Sequence, residues 1–322
     1  MRRNTSNWIA RIFSIASASA TPLVSSCRST PLTGIDMQSV PSDSTADLPL
    51  ADMTPTTDAA ADMGATIRRP FLVGSSLRAA AAASRADWLE PFAAANDLDV
   101  GTRQALAAAW LKDALEEHAS VAAFARFSIM GLAVGAPPDL IADAQRASLD
   151  EIRHARICFG LACRYGAREI GPATLRVDDA FPAATLTEVA MLAAKEGCVG
   201  ETLGALLAER QALIATDPAV KKALAKIAGD ERHHAELSWR FVSWACHAGG
   251  SPIVDRVYQA VALAVRDTRR MAVRPLEADL DSWHAHGRLS CAEAKQVAEE
   301  GILTIVLPAL ARLCGDDLSA VA

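Results

Sequence analysis

Two stretches of this chain, eighty residues apart, set a glutamate and a histidine in the same relation. "SLDEIRHARI" at Ser148 to Ile157 holds Glu151 and His154, and "AGDERHHAEL" at Ala228 to Leu237 holds Glu231 and His234. The whole chain has only seven histidines. Residues i and i+3 share a helix face, so each glutamate can reach the same point in space as its histidine. A carboxylate with an imidazole suits iron or manganese, whereas thiolates would mark a softer site. Two such pairs on different helices can hold two ions if two further helices add carboxylates.

The neighbours of each glutamate fit a buried site. Ala144, Ala147, Ser148, Ala155 and Cys158 lie one or two turns from Glu151. Leu224, Ile227, Ala228, Ala235 and Ser238 surround Glu231 in the same way. A carboxylate on such a face is costly to bury without a partner, and a metal is one such partner. Asp150 and Asp230, each just ahead of its glutamate, have two equal readings: a hydrogen bond to a ligand histidine of another helix, or a place in solvent.

Long helices must position these groups. Helical sequence runs from near Thr102 to Ala133, where "GAPPD" stops it. The next run starts at Pro138, a favoured first-turn residue, and ends near Gly166. An irregular stretch of about nineteen residues, "AREIGPATLRVDDAFPAAT", leads to a third run from Leu186 to Thr216. Asp217 and Pro218 then supply an N-cap and a first turn, and the fourth run ends at Gly249-Gly250. Pro138 precedes Glu151 and His154 by the same intervals as Pro218 precedes Glu231 and His234. Two short loops and one long connection suggest a four-helix bundle with one crossover, with two or three more helices filling Ile253 to Leu313.

The first run offers Glu117, on a face with Trp110, Ala114, Val121 and Phe124, in preference to Glu116, which sits with Lys112 and Asp113. The third offers Glu201, flanked by Gly197, Cys198, Gly204 and Ala205. Glu196 is the alternative, because five residues on an α-helix separate the two by about 140° and both are not expected to reach one site.

From about Trp110 to Trp244 the chain resembles the ferritin-like di-iron carboxylate superfamily, through "EEHASVAAFARF", "DEIRHARICFGLA", "EGCVGETL" and "DERHHAELSWRF". That resemblance implies an all-α, ferritin-like bundle over about 102–249 inside a domain of 68–322. It implies two ions, iron or alternatively manganese, held by Glu117, Glu151, His154, Glu201 (or Glu196), Glu231 and His234. The implied function is redox chemistry on dioxygen or peroxide, with a small molecule or ferrous iron as substrate and an unidentified electron donor. Iron storage without turnover, in a homo-oligomer, and a dimanganese catalase-like activity are the other readings. Two departures matter. There is no rubredoxin-type cysteine set, and Tyr165 lies eleven residues past His154, roughly 16 Å along a helix, too far for a tyrosyl radical beside the metals.

Composition agrees with a helical protein. Half the residues are apolar and the net charge is −6, which argues against a nucleic-acid partner. "RDTRRMAVR" at Arg266 to Arg274 reads as a solvated helix face. No H-E-x-x-H, G-x-S-x-G, P-loop or G-x-G-x-x-G is present. Residues 1–27 read as a bacterial lipoprotein signal ending at Cys27, which would tether the protein to a membrane of the cell envelope; the alternative is a cytoplasmic tail. Residues 28–67, rich in Ser, Thr, Pro and Asp, read as a linker unable to bury a core. "RRPFLVG" at Arg68 to Gly74 reads as an extended segment laid on the domain.

Overall fold

The computed structural model describes residues 2–18, 69–95, 97–181, 184–273 and 279–314. Cys27 and the linker lie outside the described residues. α1 (Arg2–Ser17), within the stretch read as an export signal, is an amphipathic helix packed on later helices, with Trp8, Ile12 and Ala16 buried. Four two-residue strands follow the linker region in two antiparallel pairs: β1 (Leu72–Val73) with β2 (Ser76–Leu77), and β3 (Ala82–Ala83) with β4 (Gly171–Pro172). Everything else of regular structure is helical.

Caps and prolines set the helix starts. α2 (Val100–Ala133) begins behind Asp99, whose carboxylate accepts from the Thr102 N–H. α3 (Pro138–Gly166) carries proline in its first turn and ends at Ala167, in a left-handed conformation at φ 52°. The long connection leads to α4 (Leu186–Leu192), opened by a capping box of Thr185 and Glu188. The same rod continues as a nine-residue π-helix (Ala193–Glu201) and then α5 (Thr202–Ile214). α6 (Pro218–Gly249) starts behind Asp217, which accepts from the Ala219 and Val220 N–H groups and pairs with Arg164 of α3.

α2 packs along α3, the α4–α5 rod packs along α6, and α3 meets α6. Both hairpins are antiparallel: Gly131 adjoins Ile141 across the first, and Thr202 receives a hydrogen bond from Trp239 Nε1 across the second. The residues read as core from their spacing, Trp110, Phe124, Phe127, Trp239 and Phe241, are all buried.

Around this unit lie α7 (Ser251–Arg269), α8 (Leu280–Ala285) and a last rod of α9 (Cys291–Gly301), a π-turn (Ile302–Val306) and α10 (Leu307–Cys314). α7 covers the α4 and π segment, α9 covers α5, and α10 packs on α1. Arg266 and Arg269 of α7 are exposed, as is Arg270 just past its end. No helix among the described residues is long and apolar enough to cross a membrane.

Candidate metal centre

Six buried side chains, each no more than 1% exposed, meet between the four central helical rods: Glu117 of α2, Glu151 and His154 of α3, Glu201 at the end of the π-helix, and Glu231 and His234 of α6. Their donor atoms fall into two overlapping groups, each within 4.8 Å. Glu117, Glu151, His154 and Glu231 form one; Glu201, Glu231 and His234 form the other. Glu231 belongs to both. The two imidazole centroids are 5.9 Å apart.

Four of the atoms facing the centre, on Glu151, His154, Glu231 and His234, have no hydrogen-bond partner. His154 Nδ1 lies 3.5 Å from oxygens of Glu151 and Glu231 and 3.8 Å from Glu117. His234 Nδ1 lies 3.2 Å from Glu151 and 3.6 Å from Glu231. Neither Nδ1 has a hydrogen-bond partner, and nor do Glu151 Oε2 and Glu231 Oε2. Buried polar atoms are nearly always satisfied. Atoms that crowd together without aligned hydrogen bonds are what is expected when the shared partner is a cation between them. First-row ions sit roughly 2.0–2.2 Å from N and O ligands, so donors in a 4.8 Å group can share one. The residues fit a bound metal ion.

The outer faces of the histidines are fastened crosswise. His154 Nε2 lies 3.1 Å from Asp230 Oδ2, and His234 Nε2 lies 3.4 Å from Asp150 Oδ2. Each aspartate thus serves the histidine of the other helix. Both aspartates are mostly buried and meet Arg153, which pairs with Asp150 and lies 3.8 Å from Asp230. An Nε2–H given to a carboxylate leaves the Nδ1 lone pair free for a metal.

Electrostatics without metal are proton-mediated. Burial disfavours the charged form of His154 and His234, but surrounding carboxylates outweigh it: His154 is raised well above the usual value, and His234 to about 9. Burial would raise Glu231, yet the two histidines hold it well below the usual range; Glu151 is lowered for the same reason. Glu201 is raised well above the usual range by burial, reinforced by Glu231.

The choice between Glu201 and Glu196 has a structural answer. Glu201 joins the donor groups, whereas Glu196 faces Arg69 at 3.9 Å and Arg126 at 3.7 Å. The expectation that the two point apart assumed α geometry. On a π-helix, whose i to i+5 hydrogen bonds widen the turn, residues five apart come round to the same side, and both are buried.

Arg69 is the residue the spacing arguments missed. It comes from the extended segment before β1, its side chain is fully buried, and Nε bonds Glu201 Oε1 at 2.9 Å. Nη2 bonds Ser238 Oγ at 3.0 Å, and the guanidinium lies over the Phe124 and Phe127 rings. Ser120 Oγ fixes the Arg69 carbonyl, and Arg126 bonds that of Leu72. A signal was present in Gly197: a Cβ there would stand 2.0 Å from Ser238 Oγ and 2.7 Å from Arg69 Nη2.

The remaining histidines stand apart from the centre. His118 packs edge-on to Trp88, His233 is exposed, His247 Nδ1 meets the Ser243 carbonyl at 2.7 Å, His284 pairs with Glu293 and His286 Nδ1 meets the Tyr165 hydroxyl at 2.8 Å. Glu116 pairs with Lys112 on the solvated side. Comparison of the chain with protein-family models, curated proteins and solved structures finds no match.

Proposed function

We propose that the chain is a ferritin-like di-iron carboxylate protein that activates dioxygen or peroxide. The observation that carries the reading is the convergence of four glutamates and two Nδ1 atoms, from four helical rods, on one buried volume in which Glu151 Oε2, Glu231 Oε2 and both Nδ1 atoms have no hydrogen-bond partner. The arrangement of α2, α3, the α4–α5 rod and α6, with a long connection after α3, supports it. So does the source of the ligands, since one glutamate from each of two helices and a Glu-x-x-His from each of the others is how such bundles hold two ions.

Two bound iron ions would supply electrons to an oxygen-based oxidant. The chain's own residues do the rest. Glu231, common to both donor groups, would serve both ions. Asp230 and Asp150 hold the imidazole rings and their tautomers. Phe124, edge-on to His234 at 4.9 Å, and Ala114, Ala155 and Ala235 keep bulk water out. A cleft of about 190 Å³, lined in part by Asp150, His233, His234 and Arg240, brings solvent up to the outer face of His234.

Metal analysis of anaerobically purified protein, with a spectrum after oxygen exposure, tests the reading. Two irons per chain and an oxo-bridged ferric absorption are expected. A chain that binds no transition metal after iron loading overturns it.

A further inference from the structure

Arg69 distinguishes the two halves of the centre in a way the paired motifs do not encode. Its guanidinium is buried between Glu201, Ser238 and the Phe124 ring, and bonds the Glu201 oxygen at 2.9 Å. A cation held by Glu201, Glu231 and His234 must share Glu201 with a fixed positive charge. Repulsion between charges a few ångströms apart is strong in a dry interior. The other group brings four protein donors, the Arg69 group three. Ser120 anchors the Arg69 carbonyl, and the Phe127 ring lies 4.9 Å from the guanidinium.

We propose that Arg69 makes the centre fill in order. The position of Glu117, Glu151, His154 and Glu231 takes the first ion, and that of Glu201, Glu231 and His234 takes the second at least tenfold more weakly. Arg69 acts here as a positioning and specificity residue that competes with the second ion for Glu201. This inference rests on the dinuclear reading above.

Anaerobic titration of the full chain with Mn2+, followed by electron paramagnetic resonance, tests it without reference to turnover. The first equivalent is expected to give an isolated Mn2+ signal, and a spin-coupled pair is expected only as the second binds at higher concentration. Arg69→Met, which keeps bulk and removes charge, is expected to tighten the second step at least tenfold and shift the first less than threefold. A coupled signal from the first addition in the wild type overturns the proposal, as does a gap between steps that Arg69→Met leaves unchanged. Should Arg69→Met not fold, Glu201→Gln decides: one ion bound with wild-type affinity supports the order, and two ions, or loss of the first, overturns it. If the wild type binds no Mn2+ and no Fe2+, the metal reading itself fails, an outcome distinct from the others.

Discussion

Asp230 of α6 accepts from Nε2 of His154 on α3 at 3.1 Å, while Asp150 of α3 stands 3.4 Å from Nε2 of His234 on α6. Each Asp-Glu-x-x-His stretch therefore completes the other. Such outer partners typically change metal affinity 10- to 100-fold. Asp230→Ala is expected to weaken iron binding by roughly that factor, and Asp150→Ala by less, because its contact is longer. Competition with a chelator measures both; equal affinity in Asp230→Ala and wild type would show that the pairing does not matter to the site.

Glu231 and Glu117 differ in how many donor groups they serve. Glu231→Ala is expected to abolish binding of both ions, because both groups need it. Glu117→Ala is expected to leave at most one ion per chain. Elemental analysis after loading and desalting counts them, and two ions retained in Glu231→Ala would refute the shared role.

Stability of the metal-free protein should depend on pH in a definite direction. Burial opposes charge on His234, but Glu151 and Glu231 overcome it and raise the group to about 9, and His154 moves the same way. A histidine raised above its unfolded value of about 6.5 contributes stability that is present below that value and lost as pH climbs through the folded value. The melting temperature of the metal-free form is expected to fall between about pH 7 and 9.5. Bound ions replace those protons, so the loaded form should show little change over the same range. A flat profile for the metal-free form would contradict the assignment.

Gly197 has no room for a side chain. A Cβ would lie 2.3 Å from the Ser238 Cβ as well as 2.0 Å from its oxygen, so the backbone would have to move. Gly197→Ala is expected to cost about 1–3 kcal/mol, read as a lower denaturation midpoint, and to displace Arg69. An unchanged midpoint would mean the π-helix and α6 can separate freely.

The N-terminal helix bears on maturation. Cleavage before Cys27 would remove α1, and with it Trp8, Ile12 and Ala16 from the core. Intact mass of the protein from its native host decides the point: a chain that keeps α1 would contradict the lipoprotein reading. A mature chain beginning at a lipidated Cys27 would instead support the envelope reading, as would release from membranes on Cys27→Ser.

Much of this architecture could be read from the chain because its signals are local. Pro138 and Asp217-Pro218 start helices where first-turn prolines and acidic caps predict, and the i, i+3 pairs needed only α geometry to share a face. Glu196 and Glu201 were not separable, since a π-helix looks like an α-helix in composition and changes which residues align. Arg69 was hidden for another reason. Its partner Glu201 is 132 residues away, and nothing in an arginine within an extended stretch says whether it faces water or a core. Only the surplus of buried carboxylates asked for such a cation.

The strap that carries Arg69 also moves the edge of the smallest portable piece. A fragment trimmed to the four central rods, beginning at Val100, would keep every proposed ligand and still lose the cation hydrogen-bonded to Glu201. Its interior would hold one uncompensated carboxylate more. Grafts and truncations of this scaffold should therefore begin upstream of Arg69, with the charge ledger of the interior, rather than helix boundaries, choosing where to cut.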